Sequence, residues 1–175
     1  MAYQYVREPL RAEEADQLAN ACETALEKLV VWTLLDTGLR VSELCSLTTK
    51  DVLWQQKQIR VRGKGGPYGT RSKVRVVPMS QRVRKLLEWH FAESNEFPIG
   101  ARRVQKLVKE LANRAKLSQE VTPHVLRHTF ATLSIQKGIS LPALKKVLGH
   151  DRLATTEIYL NLTDRHIQEE YEQKW

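Results

Sequence analysis

The stretch Thr122–Tyr159 constrains the fold most, because residues that begin and end helices divide it at defined points. Thr122 followed by Pro123 marks a helix start: the threonine oxygen can accept from first-turn amides, and proline suits the first helical position. Gly138 and Gly149 are typical residues for ending a helix. The predicted helices here are Thr122 to Gln136 or Lys137, Leu141–Leu148 capped by Ser140, one starting at Asp151 or Leu153 and carrying Tyr159, and one from Thr163 or Asp164 to Trp175.

Polar side chains recur in this stretch at spacings that bring some of them onto one face. His124 and Arg127 are three residues apart and project from one side of a helix near its N-terminus. A helix N-terminus with an arginine beside it is a ready site for phosphate. With His150 and Tyr159, the stretch holds cations, a proton carrier and a nucleophile. Each residue taken alone also has a structural interpretation, such as a helix-start histidine, a surface arginine or a half-buried tyrosine.

A metal site is not predicted here. His124 and His128 have the spacing of metal-binding helices, but no glutamate follows the first histidine and no further Cys/His cluster stands nearby. His128 is therefore expected to support the fold. Cys22 and Cys45 are expected to be reduced, since they lie far apart and form no CxxC motif.

The first two thirds of the chain combine helices with a short region of strand periodicity. Gly38 is well placed to end an apolar helix, and Glu43 lies three residues after Arg40, close enough to meet it. The predicted elements are helices Arg11–Cys22 and Leu26–Thr37, strands Val52–Trp54, Gln58–Arg62 and Val74–Val77, and helices from Ser80 to about Ser94 and Ala101–Leu117. The glycine-rich segment between the last two strands is predicted to be a mobile loop.

The charge balance favours a polyanionic partner. Lysine and arginine number 28 against 20 acidic residues, which gives a net charge of +8 and a pI of about 9.6. Such an excess favours nucleic acid, although a basic protein with a solvated surface is the alternative. The residues predicted to contact DNA are Arg60, Arg62, Arg71, Lys73, Arg75, Arg102, Arg103 and Lys106.

Several motifs together resemble one family, the tyrosine recombinases of the lambda-integrase type, which include the Xer-like enzymes. The segment from His124 to Thr132, followed by Leu148-Gly149-His150 and Thr155–Tyr159, is similar to the second signature block of that family. Thr37–Leu44 resembles the first block, and Gly63-Lys64-Gly65 with Arg75–Pro78 resembles the lysine hairpin. The resemblance covers roughly Arg11 to Leu160, and five elements in the same order make it specific.

This resemblance implies a role for each matching residue. Tyr159 would attack the scissile phosphate and form a 3′-phosphotyrosyl bond. The remaining implied roles are phosphate clamps at Arg40 and Arg127, a hydrogen bond to the phosphate from His150, a general acid at Lys64, assistance to proton transfer from His124, and support of Arg40 or His124 by Glu43. Lys73 or Arg71 could compete with Lys64, because the loop is longer than is usual in the family. No cofactor, metal or ATP is implied.

The expected fold is mainly α, with a small three-stranded antiparallel sheet, as in a tyrosine-recombinase catalytic domain. Residues 1–175 are expected to form one domain without the N-terminal clamp domain that family members usually carry. The stripe Ile167, Tyr171 and Trp175 could pack on its own core, or residues 164–175 could be exchanged between protomers. We expect a cytoplasmic protein without a membrane span that binds double-stranded DNA, free as a monomer and oligomeric, as a tetrameric synapse, on DNA. The alternatives are a catalytically silent DNA-binding module and a type IB topoisomerase-like enzyme.

Overall fold

The computed structural model describes residues 8–63 and 74–149. These ranges form seven α-helices, one 3₁₀ turn at Thr49–Asp51 and three strands. The helices are α1 (Ala12–Asn20), α2 (Ala25–Thr37), α3 (Val41–Cys45), α4 (Gln81–Phe91), α5 (Ala101–Arg114), α6 (Pro123–Gln136) and α7 (Leu141–Leu148). The strands are β1 (Val52–Leu53), β2 (Gln58–Arg62) and β3 (Val74–Pro78).

Helix α2 lies at the centre of the fold. The side chain of Thr24 accepts from the Glu27 amide, and the Glu27 carboxylate accepts from the Thr24 amide, which fixes the start of the helix. Its residues are apolar on several sides, and α1, α3, α4, α5 and α6 all pack against it. A helix that is apolar nearly all round has to be buried, as predicted.

The three strands form one antiparallel sheet in the order β1-β2-β3. Strand β2 pairs with β3 in a register that places Val61 opposite Arg75 and Ile59 opposite Val77. Ile59, Val61 and Val77 are buried, so one face of the sheet contributes to the main core. The opposite face of β3 leaves Val74 and Val76 exposed. The predicted fold class, mainly α with a three-stranded antiparallel sheet, is confirmed.

A smaller apolar cluster joins α6 to α7. Phe130 and Ala131 from α6 pack with Leu144 and Leu148 from α7. Helix α7 also packs against β3. The C-terminal end of α7 is thereby held between a helix and a strand. None of the described helices is long and apolar enough to cross a membrane.

Candidate functional site

Arg127 is a charged residue inside the fold. It lies on the second turn of α6, whose start is fixed by the side chain of Thr122 accepting from the Val125 amide. The Arg127 side chain is only 5% exposed. Its Nη1 donates to the Gly38 carbonyl at 2.5 Å, and its Nη2 donates to the Leu148 carbonyl at 2.7 Å. A buried guanidinium needs such partners, because its desolvation is costly.

Both carbonyls lie where a helix ends. Gly38 follows α2 with a φ of +63°, and Gly149 follows α7 with a φ of +68°, so both helices stop in a left-handed turn. Carbonyl groups at helix ends lack intrahelical partners and carry the negative pole of the helix dipole. Arg127 therefore satisfies orphan carbonyls of two helices with one cation, and joins α6 to both.

Arg40 and Glu43 form a second charged pair at the start of α3. The Arg40 side chain is 45% exposed and Glu43 is 6% exposed. The Glu43 carboxylate accepts from the Arg40 backbone amide at 2.8 Å and from Arg40 Nη1 at 3.0 Å. Glu43 thus holds Arg40 through two hydrogen bonds, and its role in supporting Arg40 or His124 stays a prediction.

Arg75 on β3 completes this charged group. Its Nη1 and Nη2 donate to the two carboxylate oxygens of Glu43, at 2.8 and 2.9 Å, and its Nε donates to the Val147 carbonyl at 2.7 Å. All three guanidinium nitrogens of Arg75 thus bond within the protein, and its contact with DNA stays a prediction. Burial by itself would raise the pKa of Glu43, but the bonds from Arg75 and Arg40 and their positive charges lower that pKa below its ordinary value.

These bonds, together with the short backbone segments Gly38–Arg40 and Val147–Leu148, form a closed ring around the end of α7. Arg75 binds the Val147 carbonyl and Arg127 binds the next carbonyl, Leu148. Arg127 also binds Gly38, which precedes Arg40 by two residues, and Arg40 returns to Arg75 through Glu43. Arg40 and Arg127, the two predicted phosphate clamps, thus belong to one hydrogen-bonded unit. The ring is built from α3, β3, α6, α7 and the turn after α2.

His124 and His128 contact each other on α6. Their Nε2 atoms are 2.8 Å apart, and the rings meet edge to face with centroids 4.4 Å apart. His124 is exposed and His128 is half-buried. Burial, together with the neighbouring His124 and Arg127, lowers the pKa of His128 to about 4. His128 is therefore neutral near pH 7, and one nitrogen of the pair donates while the other accepts.

A groove of about 670 Å³ opens beside the start of α6. The start of α3 reaches it through Val41, and the start of α6 through Thr122, Pro123 and His124. The basic side chains along it come from α5, namely Arg102, Lys106 and Lys109, and Glu120 is the acidic one. The groove is thus predominantly basic and lies next to His124.

Some of the residues predicted to contact DNA line the groove, and others lie outside it. Arg102 and Lys106 line the groove, whereas Arg103 is exposed on α5 but does not line it. Arg60 donates to the Lys50 carbonyl at 2.6 Å, and Arg62 is 69% exposed with Asp51 4.0 Å away. Lys106 lies 3.6 Å from Glu110.

Part of the predicted site lies outside the described residues. This applies to Lys64, Arg71 and Lys73 of the glycine-rich segment, and to His150 and Tyr159. The predicted helix carrying Tyr159 and the last predicted helix also lie there. Within residues 8–63 and 74–149, no group of three or more His, Cys, Asp and Glu side chains is arranged to hold a metal ion.

The inward pairing of Arg75 and the groove residue Lys109 were not predicted from the sequence. The alternation of side chains along the strand could have predicted that Arg75 points inward, because Arg75 and the buried Val77 are two residues apart and share a face. Lys109 lies three residues after Lys106 and seven after Arg102, which is helical spacing for one stripe. The bond of Arg75 to Val147, 72 residues away, had no sequence signal.

Comparisons with known proteins place this architecture in one class. The sequence profile of the phage integrase family matches residues 8–166. The tyrosine recombinase XerA of Saccharolobus solfataricus is 36% identical over 163 residues, covering 90% of this chain and 53% of that protein. A crystal structure of a XerA recombinase superimposes with a TM-score of 0.81 at 31% identity, covering 95% of this chain and 64% of that one.

A further solved structure is the Tn1549 transposon integrase in complex with transposon right end DNA. It is 26% identical, with a TM-score of 0.69 over 86% of this chain and 60% of that one. The fold and the sequence matches together define a tyrosine-recombinase catalytic domain. The chain belongs to the phage integrase family, which confirms the resemblance inferred from its motifs. It spans about half the length of the curated relatives it matches.

Proposed function

We propose that this chain is the catalytic part of a site-specific DNA recombinase that cuts and rejoins DNA strands through a 3′-phosphotyrosyl intermediate. The observation that carries the proposal is the hydrogen-bonded ring that contains both Arg40 and Arg127. Two fixed guanidinium groups suit a phosphate whose negative charge grows as a fifth oxygen approaches. The recombinase and integrase names of the relatives support the same activity.

In this proposal, Tyr159 is the nucleophile. Its phenol oxygen attacks the phosphorus, and the bond from phosphorus to the 5′ oxygen breaks. The phenol loses its proton to a nearby base, and His124 is proposed to assist this proton transfer. A phenol with a pKa of about 10 needs such help, or nearby cations, at neutral pH. The departing 5′ oxygen takes a proton from Lys64, with Lys73 and Arg71 as alternatives. His150 donates to a phosphate oxygen.

Rejoining reverses these steps on a new strand. The phosphotyrosyl bond keeps the free energy of the broken phosphodiester, so a 5′ hydroxyl of another strand can attack it without ATP. Exchange between two duplexes involves four strand cleavages, and each copy carries one proposed nucleophile. We therefore include assembly of four copies on double-stranded DNA in the proposal.

The test uses nicked duplexes with a randomised central region of about 30 base pairs, a size suited to a binding site of a few helical turns. After incubation, covalent complexes are separated under denaturing conditions and their DNA is sequenced. We expect covalent adducts enriched in one sequence, absent for Tyr159→Phe and retained for the matched control Tyr5→Phe.

Two other outcomes would contradict the proposal. Salt-sensitive DNA binding without any adduct would favour a silent DNA-binding module. Adducts without sequence enrichment, together with relaxation of a supercoiled plasmid and no joining between duplexes, would favour a type IB topoisomerase-like activity.

A further inference from the structure

Arg75 is placed on the strand that follows residues 64–73, and its side chain points into the protein. The side chain is 12% exposed. Strand alternation explains the direction, because Arg75 shares a face with the buried Val77 while Val74 and Val76 point outward. A charged side chain in such a position is costly to bury unless it is fully paired.

The pairing of Arg75 uses the flat fork of the guanidinium. Two parallel bonds reach the two oxygens of Glu43, and Nε reaches the Val147 carbonyl. This arrangement fixes the orientation of the carboxylate as well as its position. A lysine carries its three donors on a single nitrogen, so it lacks the flat, spaced fork that matches both oxygens and the carbonyl.

Glu43 passes this orientation on to Arg40. The carboxylate oxygen that accepts from Arg75 Nη1 also accepts from Arg40 Nη1, and the other oxygen accepts from the Arg40 backbone amide. The group contains two cations and one anion. Because Arg75 balances the charge of Glu43, Arg40 keeps a net positive charge available for a phosphate.

The same side chain also packs against the end of α7. Gly149 adopts a φ of +68°, and a Cβ at that position would lie 3.0 Å from Arg75 Cδ. Val147, whose carbonyl Arg75 binds, and Leu148, whose carbonyl Arg127 binds, are adjacent. The position of Arg75 is therefore tied to the last turn of α7 as well as to α3.

We propose that Arg75 is a positioning residue for strand cleavage, which orients Arg40 through the Glu43 carboxylate. The inference rests on the proposed recombinase function and deepens it, since it assigns a residue that itself need not touch DNA. It also links strand β3 physically to Arg40, a predicted phosphate clamp.

The first test measures single-turnover adduct formation at saturating DNA in a pH series from about 5.5 to 8, because burial without cationic partners raises the pKa of a carboxyl. We expect Arg75→Gln to lose roughly 10- to 100-fold in cleavage rate, within the range for misplacing a catalytic group. The loss relative to wild type should grow as the pH falls, because Glu43 without Arg75 takes up a proton more readily. DNA affinity should change less than about threefold, or under 0.7 kcal/mol.

The control for Arg75→Gln is Arg84→Gln, which removes another arginine from an arginine–glutamate pair. Arg84 binds Glu88 on the surface of α4 at 2.8 Å, away from the ring, so its cleavage rate should match wild type. When Glu43→Gln is already present, adding Arg75→Gln should lower the cleavage rate little further, because the effect of Arg75 passes through Glu43.

Charged groups near Glu43 are Arg40 and Arg75 and, around an adjoining cavity of about 270 Å³, Asp51, Arg60 and Arg62. Because the cleavage rate of each variant is divided by the wild-type rate at the same pH, titration of these groups that is common to both proteins cancels.

A second measurement is independent of cleavage. The ¹³C carboxyl shift of Glu43, assigned by its loss in Glu43→Gln, is followed against pH in the DNA-free chain for wild type and for Arg75→Gln and Arg75→Lys. We expect the pKa of Glu43 to rise in Arg75→Gln and to rise less in Arg75→Lys. A wild-type chain without adducts would overturn the recombinase proposal, while this titration still tests the hold of Arg75 on Glu43.

Three results would overturn the role of Arg75. The first is an unchanged Glu43 titration in Arg75→Gln. The second is a cleavage loss equal at every pH and additive with Glu43→Gln, which is the result for a general loss of structure. The third is a loss that appears only as weaker DNA binding, which is the result for a direct DNA contact.

Discussion

Arg127 and Glu43 show how single charged residues are kept inside this protein. Each is about nine-tenths or more buried, and each is held by several hydrogen bonds from different elements. Removing one partner of such a group leaves a charge that is buried and unpaired, which costs more than the pair contributes. The bonds also leave these side chains little freedom to reorient, so Arg127 and the arginines that bind Glu43 are fixed before any ligand arrives.

His128 yields a prediction about acid stability. Its pKa is lowered to about 4 in the folded chain, mainly by burial, against about 6.5 in an unfolded chain. The folded protein therefore binds a proton at His128 less readily, and the resulting stabilisation is present above pH 6.5 and lost as the pH falls toward 4. After allowance for solvent screening, we expect this contribution to be about 2 kcal/mol.

Urea unfolding at several pH values measures this effect. The free energy of unfolding of wild type should fall more between about pH 6.5 and 4 than that of His128→Asn. His90→Asn is the control, because His90 lies on α4 near the surface and its ring nitrogen bonds the Glu96 carbonyl. Equal pH dependence in wild type and His128→Asn would show that His128 is not the group that titrates.

Gly38 ends helix α2 and begins the short turn that leads to α3. It has a φ of +63°, and a Cβ at this position would overlap the Phe130 ring of α6. Phe130 belongs to the cluster that joins α6 to α7. An alanine at Gly38 would thus be strained in its backbone and would also push α6 away from the turn that supplies a carbonyl to Arg127.

Gly38→Ala is therefore expected to destabilise the chain by about 3 kcal/mol, from backbone strain plus overpacking. Gly138→Ala is a matched control, since Gly138 also has a positive φ, +82°, but a Cβ there would meet nothing within 4 Å. It should cost only about 1 kcal/mol. Thermal and urea unfolding of both variants gives the comparison, and equal losses would rule out the contact with Phe130 as the cause.

The helices were predicted well where local chemistry marks their ends. Helix α7 has the predicted bounds, and α6 begins after Thr122 as expected, because caps and left-handed glycines act within one turn. Helix α5 was predicted to Leu117 but ends at Arg114, with Lys116 at a φ of +56°. Here no glycine or proline marks the end, so the sequence leaves it open.

Part of the positive charge of the molecule is concentrated along one groove. Arg102, Lys106 and Lys109 line one groove from α5, and the groove also reaches the start of α6 at His124. If this surface binds the phosphates of DNA, each lysine or arginine in contact releases about one counterion. The salt dependence of binding then reports how many of them make contact.

The double variant Arg102→Gln with Lys106→Gln should reduce the slope of log affinity against log salt by about 2, roughly one for each lost phosphate contact. Lys85→Gln is the control, because Lys85 is exposed on α4 and does not line the groove. Fluorescence anisotropy of a labelled duplex over a range of salt concentrations gives both slopes. An unchanged slope in the double variant would exclude α5 as a phosphate-binding surface.

The sequence by itself determined the family, the fold class, most helix starts and the pairing of Arg40 with Glu43. These features depend on residues close together in the chain or on motifs whose order is visible in it. Only the tertiary structure decided that Arg75 turns inward to Glu43 and Val147, and that Arg127 joins the ends of α2 and α7. The physical reason is that these bonds join residues 21 to 89 positions apart, and carbonyl groups, which every residue carries, leave no mark in a sequence.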